Sequence, residues 1–327
     1  MRLGRLLVVL IVFAVCTPSE AQQAKKVPRI GVLYSGLLGA SYPPINGFRQ
    51  GLHELGYAEE KNIAIDYRFA EGNLDRLPDL AVELVRLSVD VIVAVGGAPV
   101  ILAAKNATST IPIVFPTVGD PVALGIVDSL ARPGRNITGL TLRTPELSGK
   151  RLELLKEVVP NGKRVAVLGE EANPSHTIDF RSMQAVATAL GLELHQIEVR
   201  IPNNFESAFS KITKLVRASA LFIQDAPIFI DNRKRLADLA IKGRLPAVYG
   251  SREVAEAGVL MSYGSDRFDL GRRAAIYVDK ILKGSKPGDL PVEQPTKFEF
   301  IINLKTAKQI GITIPQSVLY RADKVIK

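Results

Sequence analysis

The chain has three histidines, and none lies in the spacing that a catalytic or metal-binding motif requires. His53, His176 and His195 are far apart, without the H-E-x-x-H or H-x-x-E-H pattern that places two imidazoles and a carboxylate around one ion. The G-x-S-x-G, G-x-G-x-x-G and G-x-x-x-x-G-K-[ST] motifs are absent as well. We therefore expect a binding protein and not an enzyme, with no metal and no cofactor.

Small and polar residues follow several apolar runs in the first half of the chain. If the runs are parallel strands, ligands bind beyond their carboxyl ends, where helix N-termini present backbone N–H groups to anions. The candidate ligand-binding residues of this half are Ser35, Gly36, Gly97, Ala98, Val118, Asp120 and Thr141.

Two of these loops suggest a specific role. Gly97 and Ala98 precede Pro99, which suits a first helical turn, so this loop is predicted to hold a ligand carboxylate; a tight structural turn is the alternative. Asp120 precedes a predicted helix, where the same residue type serves as an N-cap. The sequence therefore leaves Asp120 open between capping and ligand contact.

The second half offers a matching set of candidates, which are Ser175, Asp225, Tyr249 and Tyr263. Asp225 follows an apolar strand and is predicted either to hold a ligand ammonium or to cap a helix. Tyr249 is predicted to stack on a planar ligand, with core or hinge packing as the alternative. Tyr263 shares that ambiguity.

Short apolar runs alternate with stretches of helical period from residue 27 onward. Strands are predicted at 29–34, 63–68, 91–95, 111–115, 137–140, 164–168, 193–198, 220–223, 247–249, 260–263 and 298–302. Helices are predicted at 45–55, 74–87, 100–106, 123–130, 148–158, 177–190, 204–216, 231–242, 267–282 and 304–310. This order predicts the α/β class, with two doubly wound parallel-sheet lobes joined by a hinge.

The lobes are predicted to divide the chain discontinuously. Residues 28–141 and about 264–290 form the first lobe, and 142–262 form the second. A crossing between lobes is expected at 133–139, which contains Pro and two Gly. The tail, about 296–327, is assigned to the second lobe, although the sequence leaves its placement open.

The first 21 residues are typical of a secretory signal peptide. Arg2 and Arg5 precede ten apolar residues at 6–15, and Ser19 and Ala21 are small residues at a cleavage site after Ala21. Lipid attachment at Cys16 is less favoured because Val15 precedes it. A short buried helix is the alternative to export. We expect a periplasmic protein whose mature chain has no cysteine.

Charge argues against nucleic-acid binding. The chain carries a formal charge of +9, but the basic residues are dispersed and not interleaved with aromatics. They are expected to lie on solvated helix faces.

Several segments resemble a known family. They are TIPIVF at 110–115, GDPV at 119–122, RPGRNITG at 132–139, LLKEVVP at 154–160, RLPA at 244–247, GVLMSYG at 258–264, KILKG at 280–284, LPVEQPTKF at 290–298, INLKTA at 302–307 and RAD at 321–323. Together they resemble the ABC transporter substrate-binding family that includes the tryptophan/tyrosine-binding TrpX-type proteins. The resemblance covers nearly all of residues 28–327.

The resemblance implies a type I periplasmic binding fold, with three strands crossing between two lobes and a small-molecule ligand in the cleft. It also implies hinge closure and delivery to an inner-membrane ABC permease with a cytosolic ATPase; we expect a monomer. Ala98 stands where the family pattern often has a hydroxyl residue, so the ligand stays open between an amino acid, including aromatic ones, and an organic acid. A ligand-presenting accessory to a membrane receptor is the alternative function.

Overall fold

The computed structural model describes residues 27–39, 41–142, 144–171, 173–200 and 204–327. The predicted signal peptide and Cys16 lie outside these residues. Among the described residues, no helix combines the length and apolarity needed to cross a membrane.

Strands and helices alternate through most of these ranges. The strands are β1 Arg29–Tyr34, β2 Ala64–Phe69, β3 Val91–Val95, β4 Ile113–Phe115, β5 Ile137–Gly139, β6 Arg164–Glu170, β7 Glu193–Val199, β8 Ala220–Ile223, β9 Ala247–Tyr249, β10 Met261–Ser265, β11 Phe298–Asn303 and β12 Lys324–Ile326. The helices are α1 Pro43–Glu54, α2 Leu77–Arg86, α3 Ala98–Ala107, α4 Thr144–Val158, α5 Pro174–Ala189, α6 Phe205–Ser210, α7 Pro227–Asp231, α8 Arg233–Lys242, α9 Arg252–Glu256, α10 Arg267–Leu282, α11 Leu304–Ile310 and α12 Gln316–Leu319.

The strands form two separate sheets, one in each lobe. The first has the order β2-β1-β3-β4-β5, and the second has the order β12-β11-β10-β9-β8-β6-β7. Central strands such as β3 and β8 are buried along their whole length, as strands with helices on both faces must be. The predicted fold class, two doubly wound α/β lobes, is confirmed.

One strand runs against the others. β11 pairs antiparallel with β10, whereas every other pairing within the described sheets is parallel. The chain leaves the second sheet at the end of β10, forms α10 on the first lobe and then returns. Because it re-enters the sheet at the edge where β10 ended, β11 must run in the opposite direction.

The connections between the lobes lie side by side. Leu140, just after β5, forms a parallel bridge with Glu293, and the N–H of Thr141 donates to the carbonyl of Glu293 at 2.9 Å. The junction of β10 and α10, at Ser265 to Arg267, makes the remaining connection. The second sheet also receives the C-terminal strands β11 and β12.

Helix α10 packs against α1 of the first lobe at very close range. A Cβ atom on Gly47 of α1 would overlap the carbonyl oxygen of Phe268, and one on Gly271 of α10 would overlap that of Pro44. Only glycine allows the two backbones to approach this closely.

The predicted helix at 123–130 is wrong. Asp120 and Pro121 are followed by turns, with Gly125 at φ +63°. The N–H groups of Ile126 and Val127 both donate to the carbonyl of Pro121, which closes a compact turn where a helix would need i to i−4 bonds. The predicted helix at 204–216 is divided into α6 and a π-helical turn, Lys211–Val216. The last strand, β12, was not predicted from the sequence.

Replacing Gly47 by Ala tests the close helix packing. We expect Gly47→Ala to lower the free energy of unfolding by about 1–3 kcal/mol, because the methyl group must displace backbone. Urea denaturation measures the change. The matched control is Gly149→Ala inside α4, where a Cβ would meet Val186 at 3.4 Å, an ordinary contact. The control should be neutral or stabilising by up to about 1 kcal/mol. Equal effects of the two substitutions would contradict the packing argument.

Candidate functional site

A cavity lies between the lobes, where the carboxyl ends of strands from both sheets face each other. From the first lobe it is lined by Tyr42, Gly96, Gly97, Thr117, Val118, Gly119, Asp120 and Leu124, and Leu142 lines it at the crossing between the lobes. From the second lobe and the start of α10 it is lined by Asn173, Ser175, His176, Ile178, Asp179, Asp225, Ala226, Pro227 and Arg267. The cavity is narrow, about 40 Å³. That volume is enough for water molecules.

The structure brings part of the predicted set together at this cavity. The predicted residues that line it are Gly97, Val118, Asp120, Ser175 and Asp225. The predicted residues outside its lining are Ser35, Gly36, Ala98, Thr141, Tyr249 and Tyr263. Ligand contact by any of the eleven stays a prediction, but their positions separate those facing the cavity from those behind it.

The loop before α3 has a backbone conformation that favours glycine. Gly96 and Gly97 have φ values of +120° and +84°, and α3 begins directly afterwards at Ala98. A Cβ on Gly96 would overlap the Oγ of Ser35, so Ser35 supports the loop from behind. Ala98 is fully buried.

Asp120 caps a turn. Its Oδ1 accepts from the N–H groups of Val122 and Ala123 at 3.0 and 2.9 Å, although no helix follows. Asp120 therefore makes the hydrogen bonds predicted for a cap, but it caps a turn and not the predicted helix. Asp120 also lines the cavity, so both roles that the sequence left open are compatible with its position.

Asp225 is neither a cap nor a free carboxylate. Its two oxygens are bound by Arg151 of α4 at 3.1 Å and Arg267 of α10 at 2.5 Å, and all three side chains are at most 7% exposed. Burial alone would raise the pKa of Asp225, but the two guanidinium groups hold it below its ordinary value. The two guanidinium groups share this one carboxylate, and Asp179 is a second buried acid, whose pKa burial raises and the charge of Arg151 lowers.

The two predicted tyrosines lie behind this cluster. The ring of Tyr249 is fully buried, with the Arg267 guanidinium 5.5 Å from its centroid and its hydroxyl donating to the carbonyl of Ala226 at 3.1 Å. Tyr263 accepts from the Nε of Arg151 at its carbonyl and stacks against Phe298. Both contacts match the packing alternative and leave neither ring on the cavity surface.

His176 lines the cavity as a neutral ring. Its Nδ1 accepts from the N–H of Glu170 at 2.8 Å, so the proton is on Nε2, which donates to the carbonyl of Asp225 at 3.2 Å. Burial lowers the pKa of His176. With both nitrogens bonded to backbone, the ring positions the loop that carries Asp225.

Asp179 and Glu170 are buried acids on the same side of the cleft. The Oδ2 of Asp179 accepts from Gln224 at 3.4 Å, while its Oδ1 has no hydrogen-bond partner. Glu170 accepts from the amide of Asn173 at 3.1 Å. Burial raises the pKa of Asp179 to about 6 and that of Glu170 to about 7.

Hydrogen bonds close the cleft at its rim. Asp231, at the end of α7, accepts from the N–H of Leu37 at 3.1 Å and from the hydroxyl of Tyr34 at 3.3 Å, both on the first lobe. Burial raises the pKa of Asp231. A Cβ on Gly36 would overlap both the Tyr34 hydroxyl and Asp231, which explains the glycine there. Thr141 is buried at the crossing, and its hydroxyl has no partner.

Four residues of this region were not identified from the sequence: Arg151, Arg267, His176 and Asp179. Each lies near a helix start or on a helix face, where charged residues are ordinarily solvated. Their charges become significant only when the fold buries them together. Among the described residues, no three His, Cys, Asp or Glu side chains are grouped to hold a metal ion.

Comparison with known proteins agrees with this geometry. The family model of the ABC transporter substrate binding protein matches residues 39–326. The tyrosine-binding protein of Clostridioides difficile (strain R20291) is 28% identical over 267 residues, which are 81% of this chain and 76% of that protein.

Two solved structures are similar throughout. A conserved domain protein from Vibrio cholerae is 29% identical with a TM-score of 0.84, covering 92% of this chain and 100% of that one. The ABC domain from Streptococcus pneumoniae in complex with L-Trp is 27% identical with a TM-score of 0.83, covering 91% of this chain and 99% of that one. These similarities extend over both lobes and the cleft between them.

Removing the Asp225 carboxylate tests the buried charge cluster. We expect Asp225→Ala to lower the free energy of unfolding by about 3–5 kcal/mol, because Arg151 and Arg267 would stay buried without their anion. Chemical denaturation measures the loss. Asp238→Ala on the exposed face of α8 is the control and should change stability by less than about 0.5 kcal/mol. A loss no larger than that of the control would show that the cluster is not a stability determinant.

The buried carboxyl of Glu170 predicts a pH dependence. Its pKa is raised from 4.5 to about 7, so its stabilising contribution is complete below pH 4.5 and is lost as the pH rises through 7. Glu170→Gln should therefore gain stability relative to the wild type by about 2–3 kcal/mol between pH 4 and pH 8. Thermal unfolding across this range measures the difference. Because Asp179 and His176 are present in both proteins, their titrations cancel, and a constant difference would refute the assignment.

Proposed function

Because the chain belongs to the ABC transporter substrate binding protein family, we propose that it captures a small solute between its lobes and delivers it to an ABC import permease. The observation that supports this most directly is the cavity, which is lined by strand-end loops of both lobes and by the start of α10. A solute held there would contact both lobes at once. Such contacts would stabilise one arrangement of the lobes, which a permease could distinguish from the arrangement of the empty protein.

Hinge closure is the proposed mechanism. The solute first binds one lobe, the other lobe then rotates over it, and the permease recognises the closed form. The narrow cavity and the bonds of Asp231 to Tyr34 and Leu37 support this, since they describe a closed arrangement that a solute could enter only after the lobes separate.

We propose that the division between the lobes follows the crossings. The first lobe would comprise 28–141 and about 264–290, because α10 packs on α1. The second would comprise 142–262 and about 296–327, because β11 and β12 extend its sheet.

The solute is proposed to be an amino acid, including aromatic ones, or an organic acid. The support comes from the relatives, one described as tyrosine-binding and one solved with L-Trp. Apolar residues such as Leu124, Leu142 and Ile178 share the cavity with charged ones, so a solute with an apolar body and a polar end suits it.

Capture, and not catalysis, is proposed because the family is one of substrate-binding proteins and because the histidine at the cavity is not free to act as a base. His176, which would be the natural general base, has both ring nitrogens bonded to backbone. We further propose that the mature chain acts as a periplasmic monomer after cleavage near Ala21, without a cofactor. The export signal in the sequence supports this location.

Solute binding tests the proposal. Residues 22–327 would be screened by thermal shift against amino acids, aromatic acids and small organic anions, and positive compounds would be followed by small-angle X-ray scattering. A solute at a thousandfold excess over its Kd should stabilise the protein by about 4 kcal/mol and decrease its radius of gyration. Stabilisation without compaction would refute hinge closure, and an absence of binding across solute classes would refute solute capture.

A further inference from the structure

Two buried charged atoms at the cavity lack hydrogen-bond partners. Among the described side chains that line it, Arg267 has an unpaired Nε and Asp179 an unpaired Oδ1. Both residues are 4% exposed. An unmet hydrogen bond at a buried polar group costs about 1–3 kcal/mol, and more at a charged one, so each such group calls for an explanation. One atom is a cationic donor and the other an anionic acceptor.

We propose that Arg267 donates through Nε to the acid group of the solute, and that Asp179 accepts through Oδ1 from its amino group. The site would then select solutes that carry both groups, with amino acids as the chemical class. This assignment rests on the proposed capture of a solute and deepens it, because it names the two side chains that determine which solute binds.

Arg267 is held in place for such a contact. Its terminal nitrogen binds Asp225, and its guanidinium lies over the ring of Tyr249 at 5.5 Å. Asp225 is shared with Arg151, so it does not neutralise both cations. A hydrogen bond from this guanidinium to an anionic group on the solute would be charge-assisted, and the fixed side chain loses little conformational entropy when it binds.

Asp179 supplies the complementary charge. Its Oδ2 is bonded to Gln224, and its Oδ1 has no hydrogen bond of normal geometry. The nearby Ser148 hydroxyl, which has no other partner among the described residues, is the group that acts on this carboxylate in the absence of a solute. Burial raises its pKa to about 6, so an ammonium group beside it would both satisfy Oδ1 and favour its ionised form.

The two residues also lie on elements that connect to different lobes. Arg267 is the first residue of α10, which packs against α1 of the first lobe, and Asp179 is on α5 of the second. The guanidinium of Arg267 is nevertheless bonded to Asp225 of the second lobe, so both proposed contacts lie on the second-lobe wall of the cavity.

Three related probes separate the two contacts. L-tyrosine carries both groups, 3-(4-hydroxyphenyl)propanoate lacks the amino group, and tyramine lacks the carboxylate. Isothermal titration of the wild type, Arg267→Gln and Asp179→Asn measures each affinity. Arg86→Gln and Asp238→Asn, both at exposed positions, are matched controls, and thermal unfolding verifies that every variant is folded.

We expect the wild type to bind L-tyrosine at least about tenfold more tightly than either analogue, since a hydrogen bond to a charged group contributes about 1.5–3 kcal/mol. Arg267→Gln should lower the affinity for L-tyrosine and for the propanoate by about tenfold or more and leave the affinity for tyramine unchanged. Asp179→Asn should lower the affinity for L-tyrosine and for tyramine and leave the affinity for the propanoate unchanged. If another amino acid binds more tightly, its own amine and acid analogues replace these probes.

Several outcomes would overturn the assignment. Unchanged amino-acid affinity in both folded variants would show that these atoms do not contact the solute. An equal loss of affinity for all three probes in each variant would indicate that the two residues have a purely structural role. Compaction with a sugar or an amine, together with no binding of any amino acid, would refute the assignment while leaving solute capture intact. An absence of binding by every class would instead count against capture itself.

Discussion

The buried carboxylate of Asp225, shared between Arg151 and Arg267, is the interaction on which the rest of the cleft depends. It connects α4, the end of β8 and the start of α10, three elements that the chain order keeps far apart. Charges this deeply buried are tolerated only when they are paired, so their geometry is strongly constrained. The constraint positions Tyr249, the carbonyl of Tyr263 and the part of the cavity that Arg267 lines.

The cavity exists because two sheets present the carboxyl ends of their strands to each other. Loops at those ends hold glycines on one side and buried acids on the other, and His176 fixes the loop of Asp225 through backbone bonds. Close packing between α1 and α10 attaches the Arg267 helix to the first lobe, while Asp225 attaches its first residue to the second. The crossing between the lobes and the wall of the cavity are therefore built partly from the same residues.

The fold was largely predictable because its signals are local. The bounds of β1, β3, β8, β9 and α10 coincide with the apolar runs and helical period that predicted them. The loop before α3 was also recognised, since glycines at a strand end followed by Pro99 indicate a turn into a helix. The helix predicted at 123–130 failed because Asp120 and Pro121 close a turn whose bonds compete with helix formation.

By itself the sequence determined the α/β class, the division into two lobes and the strand-end loops, because apolar periodicity and glycine act over a few residues. Tertiary structure decided which side chains meet. In the sequence, Arg151 and Arg267 look like solvated helix residues. Their partner Asp225 is 74 positions from Arg151 and 42 positions from Arg267 along the chain, and only the fold brings it to them. The reversed β11 and the withdrawal of Tyr249 into the core were decided in the same way. Such contacts depend on where distant segments return in space, which no local pattern encodes.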